Sequence, residues 1–396
     1  MDRRKRLTIA YIAIFLVPMS GLAIDIYTPA LPIIRTALGT TAQLAKLTVS
    51  LYILGFGLSQ LAWGPLSDQY GRKKTIAFGL YLFLLATLPL LLVKQVTLFL
   101  GLRTIQGIAV GAINTGARTV IIDLFEGEEF KKYINICTIA WSLSPIIAPI
   151  IGSELIHLFN WKACFFALAS YSLVAIILVH FFVVETNVSL KRLCVSTLKN
   201  SVVTILRTRD YLAGLFLVIL SYSSLTVFYV LGPFIIQNTL HHSQRFYAHC
   251  AAMVGSAWLL GNVITKYFTQ KGWSLKTSSI IISMACCCIL AHLLLYFLPL
   301  LVLFMVFLFC YVVAAACIFP RMFAHCLSFY KNMAGIVSAI TGAGFWFFGG
   351  VASIMASMIN ISVALNIFLT YSAITLLLIL TYLFFVPSQS EIKCKS

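Results

Sequence analysis

The sequence predicts an all-α integral membrane protein of twelve transmembrane helices arranged as two six-helix bundles. Three observations predict it. Hydrophobic residues make up 61% of the 396 and charged residues only 10%, a composition for which water cannot be the only solvent. Apolar runs long enough to cross a hydrocarbon core about 30 Å thick recur along the chain, separated by short polar breaks. Basic residues gather in every second break.

Taken in order, the apolar runs place helices at 8–32, 44–66, 75–93, 95–120, 134–156, 163–184, 211–236, 246–268, 277–297, 299–320, 333–358 and 362–386. With the amino terminus in the cytoplasm, the outer breaks hold only Arg35, Lys46, Lys94, Lys162 and Arg245 of the 28 Lys and Arg residues. Helix interiors hold Arg103 and Arg118, and the rest fall inside. This positive-inside asymmetry places both termini in the cytoplasm. It also accounts for the net charge of +17 without a nucleic-acid partner, because no single basic patch forms.

The opening Arg3-Arg4-Lys5-Arg6 resembles a signal peptide only superficially. The apolar stretch after it is about 25 residues, longer than a usual signal core, and it contains Asp25, so it reads as a retained first helix. The 11 cysteines lie mostly in apolar runs without C-x-x-C spacing, as small packing residues do.

The longest polar interval, 185–210, divides the chain into an amino-terminal bundle (1–184) and a carboxy-terminal bundle (211–396). Leu190, Leu193, Val202, Ile205 and Leu206 recur there at helical spacing beside Lys191, Arg192 and Lys199. Part of the linker is therefore read either as an amphipathic helix on the inner membrane surface or as a solvated connection. Gly261, Lys266 and Gly272 after helix 8 echo Gly64 to Lys74 after helix 2. A duplicated unit meeting at a midplane site favours transport over catalysis.

Between helices 2 and 3 runs Gly64-Pro-Leu-Ser-Asp68-Gln-Tyr-Gly71-Arg72-Lys73-Lys74. It resembles the loop motif G-x-x-x-D-R-x-G-R-R/K of the major facilitator superfamily, with Gln69 where an arginine is usual. The resemblance implies a conformational latch in which Gly64, Asp68, Gly71, Arg72 and Lys73 take part. It also implies that Arg118, near the inner end of helix 4, reaches toward Asp68, with a snorkelling anchor as the alternative. The alternative reading of the basic triplet is simple topology.

Helix 4 carries Arg103-Thr-Ile-Gln106-Gly107, similar to the family's R-x-x-Q-G motif, and helix 5 carries Ser144-Pro145-Ile-Ile-Ala-Pro149-Ile-Ile-Gly152, similar to its antiporter motif. With Asp25-Ile-Tyr-Thr-Pro29-Ala-Leu-Pro32 in helix 1, these resemble the Bcr/CflA group of drug:proton antiporters. The match is strong in the first half and rests on span pattern alone in the second.

An ionisable side chain within hydrocarbon is costly and marks a functional path. Asp25 and Arg103 lie about 10 and 12 Å from the outer ends of their helices at about 1.5 Å per residue. In the superfamily, helices 1, 4, 7 and 10 line the cavity, so the resemblance implies that both face it. Asp25 is expected to carry the coupled proton and Arg103 to tune it, since an arginine favours an ionised carboxylate while burial favours a protonated one. A permanent structural ion pair is the alternative. From Tyr211 to Ser390 there is no Asp or Glu, so no carboxylate of the second bundle can take that part. Glu154, near the outer end of helix 5, is expected to be solvated.

Tyr27 and Gln106 from the first half, with Tyr222, Tyr229 and Asn262 from the second, are candidates to line a substrate cavity. His241, His242, His249 and Cys250 read as a polar outer loop, with a surface metal site as the alternative. These features imply a monomeric bacterial inner-membrane exporter of a drug-like amphiphile or siderophore-like metabolite, exchanged for protons without a cofactor. A nutrient importer of the same fold is the alternative. No triad, phosphate cradle or carboxylate dyad suggests an enzyme.

Overall fold

A computed structural model describes residues 2–187, 202–273, 276–297, 301–330, 334–359 and 366–385. Among them are twelve helices long and apolar enough to cross a membrane, and no strand. They are α1 (Arg3–Ala37), α2 (Ala42–Tyr70), α3 (Arg72–Leu91), α4 (Val96–Leu124), α5 (Gly127–Leu158) and α6 (Lys162–Phe182). The second set is α7 (Arg209–Thr239), α8 (Gln244–Gln270), α9 (Thr277–Phe297), α10 (Leu301–Ser328), α11 (Ala334–Ser357) and α12 (Asn366–Phe385).

Each predicted span has its counterpart, but several helices overrun the apolar core that announced them. α5 begins at Gly127, not 134, and takes in Glu128, Glu129, Lys131 and Lys132. Acidic residues in a first turn suit the positive end of a helix, so the charged stretch prolongs the helix instead of breaking it. α2 runs to Tyr70 and α3 starts at Arg72, which shrinks the expected loop to Gly71 alone.

α1 departs from a straight span. It breaks after Leu16 at Pro18, and again after Asp25, where one 3-10 turn, Thr28–Ala30, precedes Leu31–Ala37. Pro18, Pro29 and Pro32 remove the amide donors that would carry the helix through. The second break exposes the Asp25 carbonyl to Thr28, whose hydroxyl donates to it at 2.9 Å.

Packing repeats with a shift of six helices. α4 packs on α2 and α3, and α3 on α6, just as α10 packs on α8 and α9, and α9 on α12. The halves meet where α2 lies on α11 and α5 on α8, a pair of contacts the same shift exchanges. Gly272 closes the α8–α9 turn at positive φ, as Gly71 closes the α2–α3 turn. Large apolar side chains such as Leu85, Phe181 and Leu293 point outward, as a lipid-facing surface requires.

Three polar contacts join the halves at the end opposite the basic Arg3–Arg6 and Arg72–Lys74 clusters. Lys46 donates from Nζ to the Ile359 carbonyl at 3.3 Å, Gln237 from Nε2 to the Pro29 carbonyl at 3.0 Å, and Arg245 pairs with Glu154 at 2.6 Å. Ile359 follows the end of α11, where unpaired carbonyls favour a cation. In the linker, Leu190 and Leu193 lie outside the described residues; residues 202–207 are helical, with Ile205 buried.

Candidate translocation site

Asp25 is 3% exposed and is the one buried carboxylate among the described residues. It ends the helical segment before the second break in α1 and faces Ser144 of α5. Ser144 Oγ donates to Asp25 Oδ2 at 3.3 Å. An ionised carboxylate in so little water is stabilised poorly by one long hydrogen bond, which makes the residue sensitive to its protonation state.

Ser144 opens the segment that resembled an antiporter motif, and the structure gives that segment two contacts. One face meets α1: a Cβ added at Gly152 would overlap the Ile26 carbonyl, so only glycine permits this approach. The other meets the second half: Pro145 lies so near Gly255 of α8 that a Cβ there would fall 2.9 Å from its carbonyl oxygen. Pro145 and Pro149 both lie inside α5, where each lacks the amide that would bond one turn back. The motif thus ties the Asp25 segment to the opposite bundle.

Arg103 reaches the Asp25 segment of α1 at Ala23 but makes no hydrogen bond or ion pair with Asp25. Its Nη2 donates to the Ala23 carbonyl at 2.9 Å, Nη1 to Gln106 Oε1 at 2.6 Å and Nε to the Thr48 carbonyl at 3.4 Å. The rings of Tyr27 and Tyr52 cover the guanidinium, each 4.4 Å away. Carbonyls and π faces hold the cation in place. The direct ion pair is therefore absent, and Arg103 braces α1, α2 and α4 two residues from Asp25.

A cavity of about 20 Å³, lined by Asp25, Ile53, Trp141, Tyr222, Tyr229 and Trp346 among others, opens beside the carboxylate. Such a space fits one water molecule. Aromatic rings fill the surroundings: Trp346 of α11 packs on Phe56 at 4.4 Å and edge-on to Trp141 at 6.2 Å, bridging the halves. Of the five expected cavity residues, Tyr222 and Tyr229 line it. The other three do not. Tyr27 serves Arg103 and bonds Thr48, Gln106 links Arg103 to Thr87, and Asn262 donates to the Trp258 carbonyl of its own helix. Trp141, one turn before Pro145, carried a helical-spacing signal that the sequence reading passed over; Trp346 had none.

At the basic end, Arg72 gathers residues around the segment that the sequence led one to expect in a latch. It bonds Asp68 at 2.5 Å, Asp123 at 3.0 Å and Ser67 Oγ at 3.1 Å. Gly71 adopts φ 100°, a backbone that favours glycine. Beside it Glu185, just past α6, accepts from the amides of Arg72 at 2.8 Å and Lys73 at 3.2 Å, capping α3. Lys73 Nζ reaches the His180 carbonyl at 3.0 Å. Gly64 meets nothing that a Cβ would disturb. Arg118 is exposed and forms no hydrogen bond or ion pair with Asp68; α4 continues past it to Asp123, which supplies the contact instead.

Glu154, expected in solvent, is half exposed yet pairs with Arg245 across the α5–α8 interface. In the same region His242 stacks on Phe246, His249 Nδ1 lies 2.7 Å from the Arg245 carbonyl, and Cys250 is buried. Among the described residues no group of three or more His, Cys, Asp or Glu is placed to hold a metal ion.

Residues 12–354 match the Major Facilitator Superfamily. The chain is 30% identical over 165 residues to multidrug resistance protein D of Escherichia coli, covering 42% of each protein. It is 28% identical over 214 residues to a bicyclomycin resistance protein homolog of Haemophilus influenzae, covering 54% of each. It is 30% identical over 259 residues to a chloramphenicol resistance protein of Pseudomonas aeruginosa, covering 63% of this chain and 60% of that one. The chain thus spans about half the length of the first two relatives. Among solved structures, a D-xylose-proton symporter superposes with TM-score 0.78 over 96% of this chain and 98% of that one at 16% identity, a likeness of fold.

Proposed function

Because the chain belongs to the Major Facilitator Superfamily, we propose that it exports a small organic compound across a bacterial cytoplasmic membrane in exchange for protons, by alternating access. Its similarity to multidrug, bicyclomycin and chloramphenicol resistance proteins supports a drug-like cargo. The basic end, in this reading, faces the cytoplasm.

The observation that carries the proposal is the placement of Asp25. It is buried and bonded to Ser144, and it lies against the segment that packs on the second half. A change in its charge would alter the α1–α5 contact, and through Pro145 and Gly255 the relation of the bundles. Arg103 acts as a positioning residue that fixes α1 through Ala23. Arg72 with Asp68 and Asp123 latches the basic end, and Lys46, Gln237 and the Arg245–Glu154 pair close the other.

Inverted membrane vesicles loaded with a pH-sensitive dye test the reading. Chloramphenicol and other drug-like compounds added after energisation are expected to dissipate the proton gradient only in vesicles that contain the protein. Accumulation of those compounds by intact cells, dependent on the protein, would instead establish import.

A further inference from the structure

Among the polar groups that line the Asp25 cavity, the carboxylate has a partner and a hydroxyl of the second half has none. Asp25 accepts from Ser144 through Oδ2. Tyr229 of α7 lines the same cavity; it is 4% exposed, and its hydroxyl has no hydrogen-bond partner. A phenol hydroxyl is seldom buried without one. A volume of about 20 Å³ between such groups meets both requirements for a bound water, room and polar neighbours.

We propose that Tyr229 and Asp25 hold a single water molecule between the two halves, and that through it α7 senses the charge on Asp25. The Tyr229 hydroxyl donates to the water, and the water donates to the ionised carboxylate. No bond other than hydrogen bonds is made or broken, and Tyr229 keeps its proton throughout. When Asp25 takes up a proton it ceases to be a strong acceptor, and the bridge between α1 and α7 weakens. This makes a local protonation felt directly by the second bundle, which has no carboxylate of its own between Tyr211 and Ser390. The inference rests on Asp25 being the coupling group.

Other ionisable groups near Asp25 are Tyr27 of α1, Tyr52 of α2, Arg103 of α4, Tyr222 of α7 and Tyr247 of α8. Arg103 is held by the Ala23 carbonyl and the rings of Tyr27 and Tyr52. α5 and α11 present Ser144, Trp141, Pro145 and Trp346, none of which titrates. Of the hydroxyls that line the cavity, that of Thr226 donates to the Ser223 carbonyl and that of Tyr229 is buried without a partner.

Infrared titration of the purified full-length protein tests this without a cargo. The Asp25 carboxyl stretch is assigned by its loss in Asp25→Asn and followed against pH in wild type and Tyr229→Phe. Phenylalanine keeps the ring and removes the donor, so the ionised form loses its bridged water. The midpoint is expected to move to higher pH by about half a unit or more, since each unit corresponds to a tenfold change in the protonation equilibrium. A folded Tyr229→Phe protein with an unmoved midpoint overturns the proposal. Should that variant fail to fold, the wild-type spectrum decides: a bound-water stretch that changes together with the carboxyl band supports the bridge, and its absence overturns it. Failure of gradient-driven transport to depend on Asp25 would defeat the coupling reading separately.

Discussion

Gly152 of α5 lies against the carbonyl of Ile26 in α1, one residue beyond Asp25, and no side chain fits between them. This contact joins the segment that carries the buried acid to the segment that packs on the second bundle. Gly152→Ala is expected to force the helices apart, costing about 1–3 kcal/mol as overpacking does, and to lower transport at least tenfold. Gly64→Ala, where a Cβ meets nothing, should transport like wild type. Transport assays on matched amounts of purified protein check both.

Arg72 serves two carboxylates on different helices, Asp68 on α2 and Asp123 on α4. Asp68 is half exposed, so that pair alone is worth little. The arrangement matters because one guanidinium spans three acceptors, counting Ser67. Arg72→Ala should reduce transport tenfold or more, and Arg72→Lys should recover only part of it, because a point charge cannot reproduce the fork. Asp68→Asn and Asp123→Asn combined should cost less than the sum of the singles, as expected for residues sharing one partner.

At the opposite end, the Arg245–Glu154 pair is partly exposed and crosses the halves. Breaking it by Arg245→Ala should change transport only a few-fold, in keeping with about 1 kcal/mol or less for an exposed pair. Holding it shut should matter far more. In a background without exposed cysteines, Glu154→Cys and Arg245→Cys joined by a short reducible cross-linker should abolish transport, and reductant should restore it. Transport that survives complete cross-linking would show that this interface does not open.

The twelve spans were legible because bilayer thickness sets helix length, and Asp25 because a charge in an apolar run is conspicuous. Helix ends were less so: Lys131 and Lys132 look like a loop by hydropathy, yet they extend α5 where helices leave the hydrocarbon. The site was legible as single residues and not as contacts. Arg103 and Asp25 share a depth, but nothing in their spacing shows that Tyr27 and Tyr52 cage the guanidinium. Asp123 lies 51 positions from Arg72, and Ser144 lies 119 from Asp25, separations at which local pattern carries no pairing information. Glu185 was read as linker because its role depends on α6 returning beside the start of α3.

The most direct test of Asp25 compares wild type and Asp25→Asn in proteoliposomes carrying a transported compound. Asparagine keeps the size and the Ser144 contact while removing the proton. Transport driven by an imposed pH gradient should vanish, whereas exchange of labelled for unlabelled compound at equal pH should persist. Gradient-driven transport at the wild-type rate in Asp25→Asn would contradict the account.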